Sequence, residues 1–413
     1  MAWSPPPMEP WVDRLNAVGE NLGGSGASII SLDDQELIEA AVSSTGLSDF
    51  GDDWWREPFR ILLGSLRDEA DLTFAGRILA RSEMQRLLQQ RLRLVDVWRT
   101  DPALATNPIE RPIFVTGLGR SGTTWLHELL AADPGNRSLR LWEAMYPTPP
   151  PLEGDSDPRI AAADREITIM DAMVPAFTAM HENRGALPTE CIFVFAHQFV
   201  TDMFLGQYNC PSFAIWQSGI DPAPLYAFHR AVLSTLQSGF ARERWVLKAP
   251  SHLGRLPTLF AEYPDARVVI CHRDPLKVVG SLADLMATLQ SMRTRHVDYE
   301  AIIPLIAYGT SMQLDGITSA RHDGQLPDSQ IADVIYTDLV DDPIRVVEDL
   351  YRGWGLEVTV GFRRAMEALV TSRTRHRHGA HEYRFEDTGL DLADERSRVA
   401  AYQAHYGVPS EVG

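Results

Sequence analysis

The residues of this 413-residue chain best suited to chemistry begin with Gly117-Leu118-Gly119-Arg120-Ser121-Gly122-Thr123-Thr124. They directly follow an apolar segment, Pro112–Thr116, and precede a run carrying Leu126, Leu129 and Leu130. Glycines let a backbone wrap an anion closely, and the N-terminus of a following helix adds N–H donors and a favourable dipole. The segment therefore reads as a phosphate cradle. Against the nucleoside-triphosphate pattern G-x-x-x-x-G-K-[ST], Gly117, Gly122 and Thr124 fit, but Thr123 stands where the lysine belongs. That lysine normally offsets charge on the β- and γ-phosphates during phosphoryl transfer. Its replacement, with Arg120 as the cation inside the loop, points to a donor whose anion ends earlier.

The rest of the chain must position this loop. Trp245–Lys248, Arg267–His272 and Ala332–Tyr336 read as further strands. Helices are expected over Ser121–Ala132, His252–Tyr263, Pro275–Met292 and from Asp342-Pro343 to Gly353. Strands alternating with helices imply βαβ units and a mainly parallel sheet. The first hundred residues differ. A capping box at Ser31-Leu32-Asp33-Asp34 opens a helix through Val42, and Arg81–Arg99 reads as one Leu- and Arg-rich helix of structural role. The expected organisation is a helical N-terminal region over 1–108 and an α/β domain over 109–413, interrupted by a helical, aromatic insertion at about 147–240. Phe193, Phe195, Phe199, Phe204, Tyr208 and Phe213 in that insertion suit either a wall of an apolar pocket or ordinary core.

Three ordered segments resemble the sulfotransferase family. GLGRSGTTWLHELLAADP is similar to its 5′-phosphosulfate loop, where [KR]-S-G-T-T-x-L is typical. Trp245-Val246-Leu247-Lys248-Ala249-Pro250-Ser251-His252-Leu253 resembles its lysine-containing strand end. Cys271-His272-Arg273-Asp274-Pro275, continuing to Ser281, resembles its 3′-phosphate motif, and Tyr336-Thr337-Asp338-Leu339 extends the likeness. The resemblance covers roughly Ile109–Gly355 and looks like the bacterial, mycobacterial-type branch. It implies a P-loop NTPase-like three-layer α/β sandwich and the donor 3′-phosphoadenosine-5′-phosphosulfate, with no metal. Arg120, Ser121, Gly122, Thr123, Thr124 and Trp125 would hold the 5′-phosphosulfate. Arg273 and Ser281 would hold the 3′-phosphate, and Lys248 would face the bridging or sulfuryl oxygens. A basic tail with Arg375, Arg377 and His381 would fold over the donor.

Sulfuryl transfer needs in-line attack by an acceptor hydroxyl and a base for its proton. His252, just beyond Lys248, is the first candidate. The family's animal enzymes have Lys-x-His where this chain has Lys-x-x-x-His, so the carboxylates Glu143 and Glu190 compete for the role. Glu190 precedes the apolar run Cys191–Ala196, where burial raises a carboxyl pKa. If the insertion aromatics wall a pocket, the acceptor is a small, largely apolar molecule bearing a hydroxyl, such as a lipid or glycolipid. A rival metal reading of Asp274 competes with a simpler one, in which an Asp-Pro pair caps a helix. Two other functions share the loop: a small-molecule kinase using Mg·ATP and a non-catalytic nucleotide-binding protein.

Composition narrows the classes. Lys and Arg number 38 against 56 Asp and Glu, a net charge of −18, which argues against a nucleic-acid partner. Only Lys248 and Lys277 are lysines. Cys191, Cys210 and Cys271 read as buried thiols in a reducing compartment. With no signal-peptide pattern and no apolar run of roughly 18 residues, the expectation is a cytoplasmic protein without a membrane span. A homo-oligomer is compatible with these features.

Overall fold

The computed structural model describes residues 3–151, 157–177, 183–240, 244–372 and 385–412. Its centre is a five-stranded sheet of β1 (Ile113–Gly117), β2 (Asn136–Ser138), β3 (Arg244–Lys248), β4 (Arg267–His272) and β5 (Ile331–Ile335). The strand order is β2-β3-β1-β4-β5, and every pairing is parallel. Parallel neighbours require crossovers, and the intervening helices supply them while covering the sheet. One sheet face packs on Val232, Leu236, Leu256, Leu259 and Tyr263. The other packs on Leu126, Leu129, Leu130, Val347 and Leu350. The expected parallel α/β architecture is therefore present. β1 is buried along its whole length because it is the central strand, whereas β5 is half-exposed at the edge.

Before the sheet come α1 (Pro10–Asn21), α2 (Asp34–Thr45), α3 (Arg56–Asp68) and α4 (Phe74–Thr100). The cap of α2 is Asp33, whose carboxylate accepts from the Glu36 backbone N–H at 3.0 Å, rather than Ser31. Gly46 ends the helix in a left-handed conformation. Thr73 caps α4, which buries polar as well as apolar residues. Its Arg91, wholly buried, donates to the Phe50 carbonyl at 2.9 Å and to Gln198 Oε1 at 3.0 Å. That second bond reaches into the insertion. The apolar faces of α2, α3 and α4 share one core with Phe199, Phe204, Tyr208 and Phe213, so these insertion aromatics are core rather than pocket wall.

β2 escapes the sequence pattern, being a three-residue polar strand, Asn-Arg-Ser. The expected His252–Tyr263 helix is a 3₁₀ turn, Pro250–Arg255, followed by a helix over Leu256–Glu262. All three cysteines are buried and unpaired, and burial pushes the Cys210 and Cys271 thiols up to about 12. No described helix is long and apolar enough to cross a membrane.

Candidate active site at the carboxyl edge of the sheet

The loop after β1 is built on positions that only glycine fills. Gly117 has φ 141°, and a Cβ there would lie 2.4 Å from the Cys271 carbonyl oxygen on β4. Gly122 has φ 92°, and its Cβ would lie 2.9 Å from the ring of Tyr336. Between them Arg120 also adopts a positive φ of 67°. The Ser121 hydroxyl, wholly buried, donates to the Leu118 carbonyl at 2.7 Å and closes the turn. α5 (Thr123–Ala131) starts immediately afterwards, with Thr123 buried and Thr124 exposed. N–H groups at a helix start lack intrahelical partners, and a backbone with no side chain in the way lets a phosphate-sized anion approach. Trp125 is partly buried against the apolar layer beneath. His127 packs between α5 and β3, with Nε2 3.1 Å from the Val246 carbonyl, and burial pushes its pKa down to about 4.

Two cationic groups meet this loop from neighbouring strand ends, where ligands collect in open parallel sheets. Lys248, the last residue of β3 and 3% exposed, donates from Nζ to Thr124 Oγ1 at 3.2 Å and to the Glu190 carboxylate. The Cys191 N–H donates to the Lys248 carbonyl at 2.9 Å, which ties the Glu190 segment to the same strand end. On the other side, beyond β4, the Arg273 guanidinium donates to the Arg120 carbonyl at 2.9 Å and lies 3.8 Å from the centre of the Tyr336 ring. Arg120 Nε donates to Ser281 Oγ at 3.1 Å. The structure thus gathers Arg120, Arg273 and Ser281 on one flank of the loop and Lys248, Thr124 and Glu190 on the other.

The Sulfotransferase family model matches residues 112–360, well over half of the chain. The chain belongs to the sulfotransferase family. It is similar to two solved structures, sulfotransferase STF1 from Mycobacterium tuberculosis H37Rv and sulfotransferase STF9 from Mycobacterium avium. STF1 is 33% identical, with a TM-score of 0.78 over 89% of this chain and 98% of that one. STF9 is 26% identical, with a TM-score of 0.83 over 92% and 98%. Among curated relatives, omega-hydroxy-beta-dihydromenaquinone-9 sulfotransferase Stf3 of Mycobacterium bovis and of Mycobacterium tuberculosis is 26% identical over 253 residues. That match spans 59% of this chain and 63% of the relatives' length.

Within this sulfotransferase-family site, two expected base candidates sit elsewhere. His252 is wholly buried, its ring edge-on to Phe114 at 5.1 Å and to Phe195 at 5.7 Å, with Nδ1 2.7 Å from the Tyr226 hydroxyl. Burial, with electrostatic contributions from His229 and Arg255, holds its pKa well below the ordinary value. A ring with no accessible surface does not meet an acceptor hydroxyl, so the expectation that His252 is the principal base does not fit its placement. Glu143, also buried, caps a short helix. Its Oε2 accepts from the Arg140 N–H at 3.0 Å, and its Oε1 accepts from Arg137 at 2.7 Å. Arg137 is itself stacked by Phe240 and Trp245, so Glu143 fastens β2 to its surroundings. Glu190 is placed differently from its expectation, since a lysine partner accompanies the apolar burial. Arg375, Arg377 and His381 lie outside the described residues.

Asp274 resolves between its two readings by its contacts. It accepts from the Leu276 N–H at 3.1 Å as the N-cap of the Pro275–Ser291 helix. It also takes both Arg396 amino groups, at 2.7 and 3.1 Å, and the backbone N–H groups of Glu411 and Val412. Two site residues had no role in the sequence reading. Tyr336 ends the expected strand and opens the segment that extends the family likeness, but neither reading gives it a role. Glu411, which grips Arg273, carries no local signal at all.

Proposed function

We propose that this protein transfers a sulfuryl group from 3′-phosphoadenosine-5′-phosphosulfate to the hydroxyl of a largely apolar small molecule. The observation that supports this reading most is the pair of linked flanks: Arg120 joins the loop to Ser281 and Arg273, while Thr124 joins it to Lys248 and Glu190. A donor with phosphates at both the 5′ and 3′ positions needs two such anion sites, whereas Mg·ATP needs one phosphate track and a lysine in the loop. Gly117 and Gly122 leave the backbone bare where the 5′-phosphosulfate would lie, and a side chain at either would collide with Cys271 or Tyr336. The donor, when bound, supplies an electrophilic sulfur and leaves as adenosine 3′,5′-bisphosphate.

The chain's own groups then divide the work. Arg273 and Ser281 take the 3′-phosphate, the guanidinium giving a forked, charge-assisted contact. The loop N–H groups, Arg120 and the Thr123 and Thr124 hydroxyls hold the 5′ end, with Trp125 bounding it. Lys248 offsets charge developing on the oxygen between phosphorus and sulfur as that S–O bond breaks. Glu190 accepts the proton of the attacking hydroxyl as the new S–O bond forms. Its ion pair with Lys248 holds it beside the loop, and in the donor complex the lysine turns towards the donor and releases it.

For the acceptor, Phe193 lies one turn beyond Glu190 and is partly buried beside Met145, Met170, Met173, Leu285 and Leu289. Flexible, polarisable methionines accommodate irregular apolar bodies. The Stf3 relatives carry a lipid-quinone derivative in their name, and an apolar alcohol is the acceptor class we assign here. Adding the sulfo donor and enzyme to a total lipid extract, followed by mass spectrometry, is expected to reveal a product heavier by one sulfo group. Sulfation of only simple sugars or peptides would overturn the acceptor class.

A further inference from the structure

Arg273 meets a carboxylate on the flank where the donor's 3′-phosphate is placed above. Its Nε and one amino group each donate at 2.8 Å to the two oxygens of Glu411, a forked pair spanning 138 residues of sequence. The two side chains are 15% and 21% exposed, so the pair is partly shielded from solvent. A carboxylate engaged in this way presents the same two-oxygen edge to arginine that a phosphate does.

The Glu411 backbone does not depend on that contact. Its N–H and that of Val412 both donate to Asp274, at 2.6 and 3.1 Å, and Asp274 is wholly buried and clamped by Arg396. The helix that carries Arg396, Leu392–Tyr406, packs on the Tyr299–His322 and Pro275–Ser291 helices. Backbone and side chain therefore have separate tasks: Asp274 fixes the segment through its N–H groups, and the Glu411 side chain reaches Arg273. Rotation about its own side-chain bonds is enough to withdraw the carboxylate from the Nε edge of the guanidinium. A phosphate dianion and a carboxylate on one fork repel each other, so both do not occupy it together.

We propose that Glu411 is a built-in competitor for the 3′-phosphate subsite, closing the Arg273 fork in the empty enzyme and opening when a 3′-phosphorylated nucleotide enters. The same competition favours departure of the bisphosphate product, because Glu411 recaptures Arg273 as the product leaves. This rests on the assignment of Arg273 to the 3′-phosphate. An apparent dissociation constant rises in inverse proportion to the fraction of binding-competent sites, so opening the fork tightens binding of 3′-phosphorylated ligands only.

Calorimetric titration of the full chain and of Glu411→Gln and Glu411→Ala with adenosine 3′,5′-bisphosphate and with 5′-AMP tests it. The expected result is bisphosphate binding about tenfold tighter in both variants, with 5′-AMP binding unchanged. Unchanged or weaker bisphosphate binding in both variants, while the wild type still prefers bisphosphate to 5′-AMP, overturns the competitor role and leaves the 3′-phosphate assignment standing. A wild type with no preference for bisphosphate overturns both. Thermal unfolding of the ligand-free variants separates this effect from loss of fold, since the Asp274 clamp uses only the backbone of residue 411.

Discussion

At the scale of single residues, Glu190 and His252, both candidates for the base, lie in different surroundings. Glu190 stands beside Lys248 and the exposed Thr124, whereas His252 lies inside an aromatic cage of Phe114, Phe195 and Tyr226. Replacing a general base costs on the order of 10²–10⁴ in rate, so Glu190→Gln is expected to lower kcat by about 10³ at saturating donor. His252→Gln is expected to keep kcat within about tenfold of wild type while losing about 1–3 kcal/mol of stability, through damaged packing and the lost Tyr226 partner. Parallel kinetics and urea unfolding of the two variants check both statements. The reverse ranking would return the base role to His252. The loop itself was legible in the sequence because glycine need and helix start are local properties. The burial of His252 was not, because Lys-x-x-x-His fixes distance along the chain and says nothing of which side of the strand end the ring faces.

At the scale of elements, the strand-helix alternation was readable wherever a strand was apolar and buried. β1, β3, β4 and the half-exposed edge strand β5 were found within a residue, while the polar β2 was missed. What no local pattern shows is how the C-terminal helix Leu392–Tyr406 meets the start of the Pro275 helix, because that junction is made by charge. Asp274 serves as cap, as the partner of Arg396 and as acceptor for two backbone N–H groups. Burial alone would raise its pKa, but the hydrogen bonds from Arg396, Glu411 and Leu276 outweigh it and hold the carboxyl below the ordinary range. A carboxyl depressed in the folded state adds stability above its unfolded pKa of about 3.9, and that stability is lost as pH falls through the folded value. Asp274→Asn is therefore expected to destabilise the protein by about 3 kcal/mol at neutral pH and to flatten the acid limb of its stability curve below about pH 4. Urea unfolding at a series of pH values measures both. A variant with the wild-type acid limb would show that the clamp contributes nothing there.

At the scale of the whole molecule, a chain of net charge −18 with only two lysines must gather cations locally if it is to hold the anionic donor proposed above. Its solution is to bring Arg120, Lys248 and Arg273 to one edge of the sheet while pairing the latter two with Glu190 and Glu411. Each of these carboxylates comes from a segment distant in sequence from the cation it pairs with. This is why charge counting pointed to the cations and could not show their partners. The most direct test of separate sites for the 5′ and 3′ phosphates is calorimetric binding of adenosine 3′,5′-bisphosphate, 5′-AMP and Mg·ATP to the wild-type protein. The predicted result is bisphosphate binding at least about tenfold tighter than 5′-AMP, a difference of about 1.4 kcal/mol, with no detectable competition from Mg·ATP. Tight binding of Mg·ATP with indifference to the 3′-phosphate would contradict it.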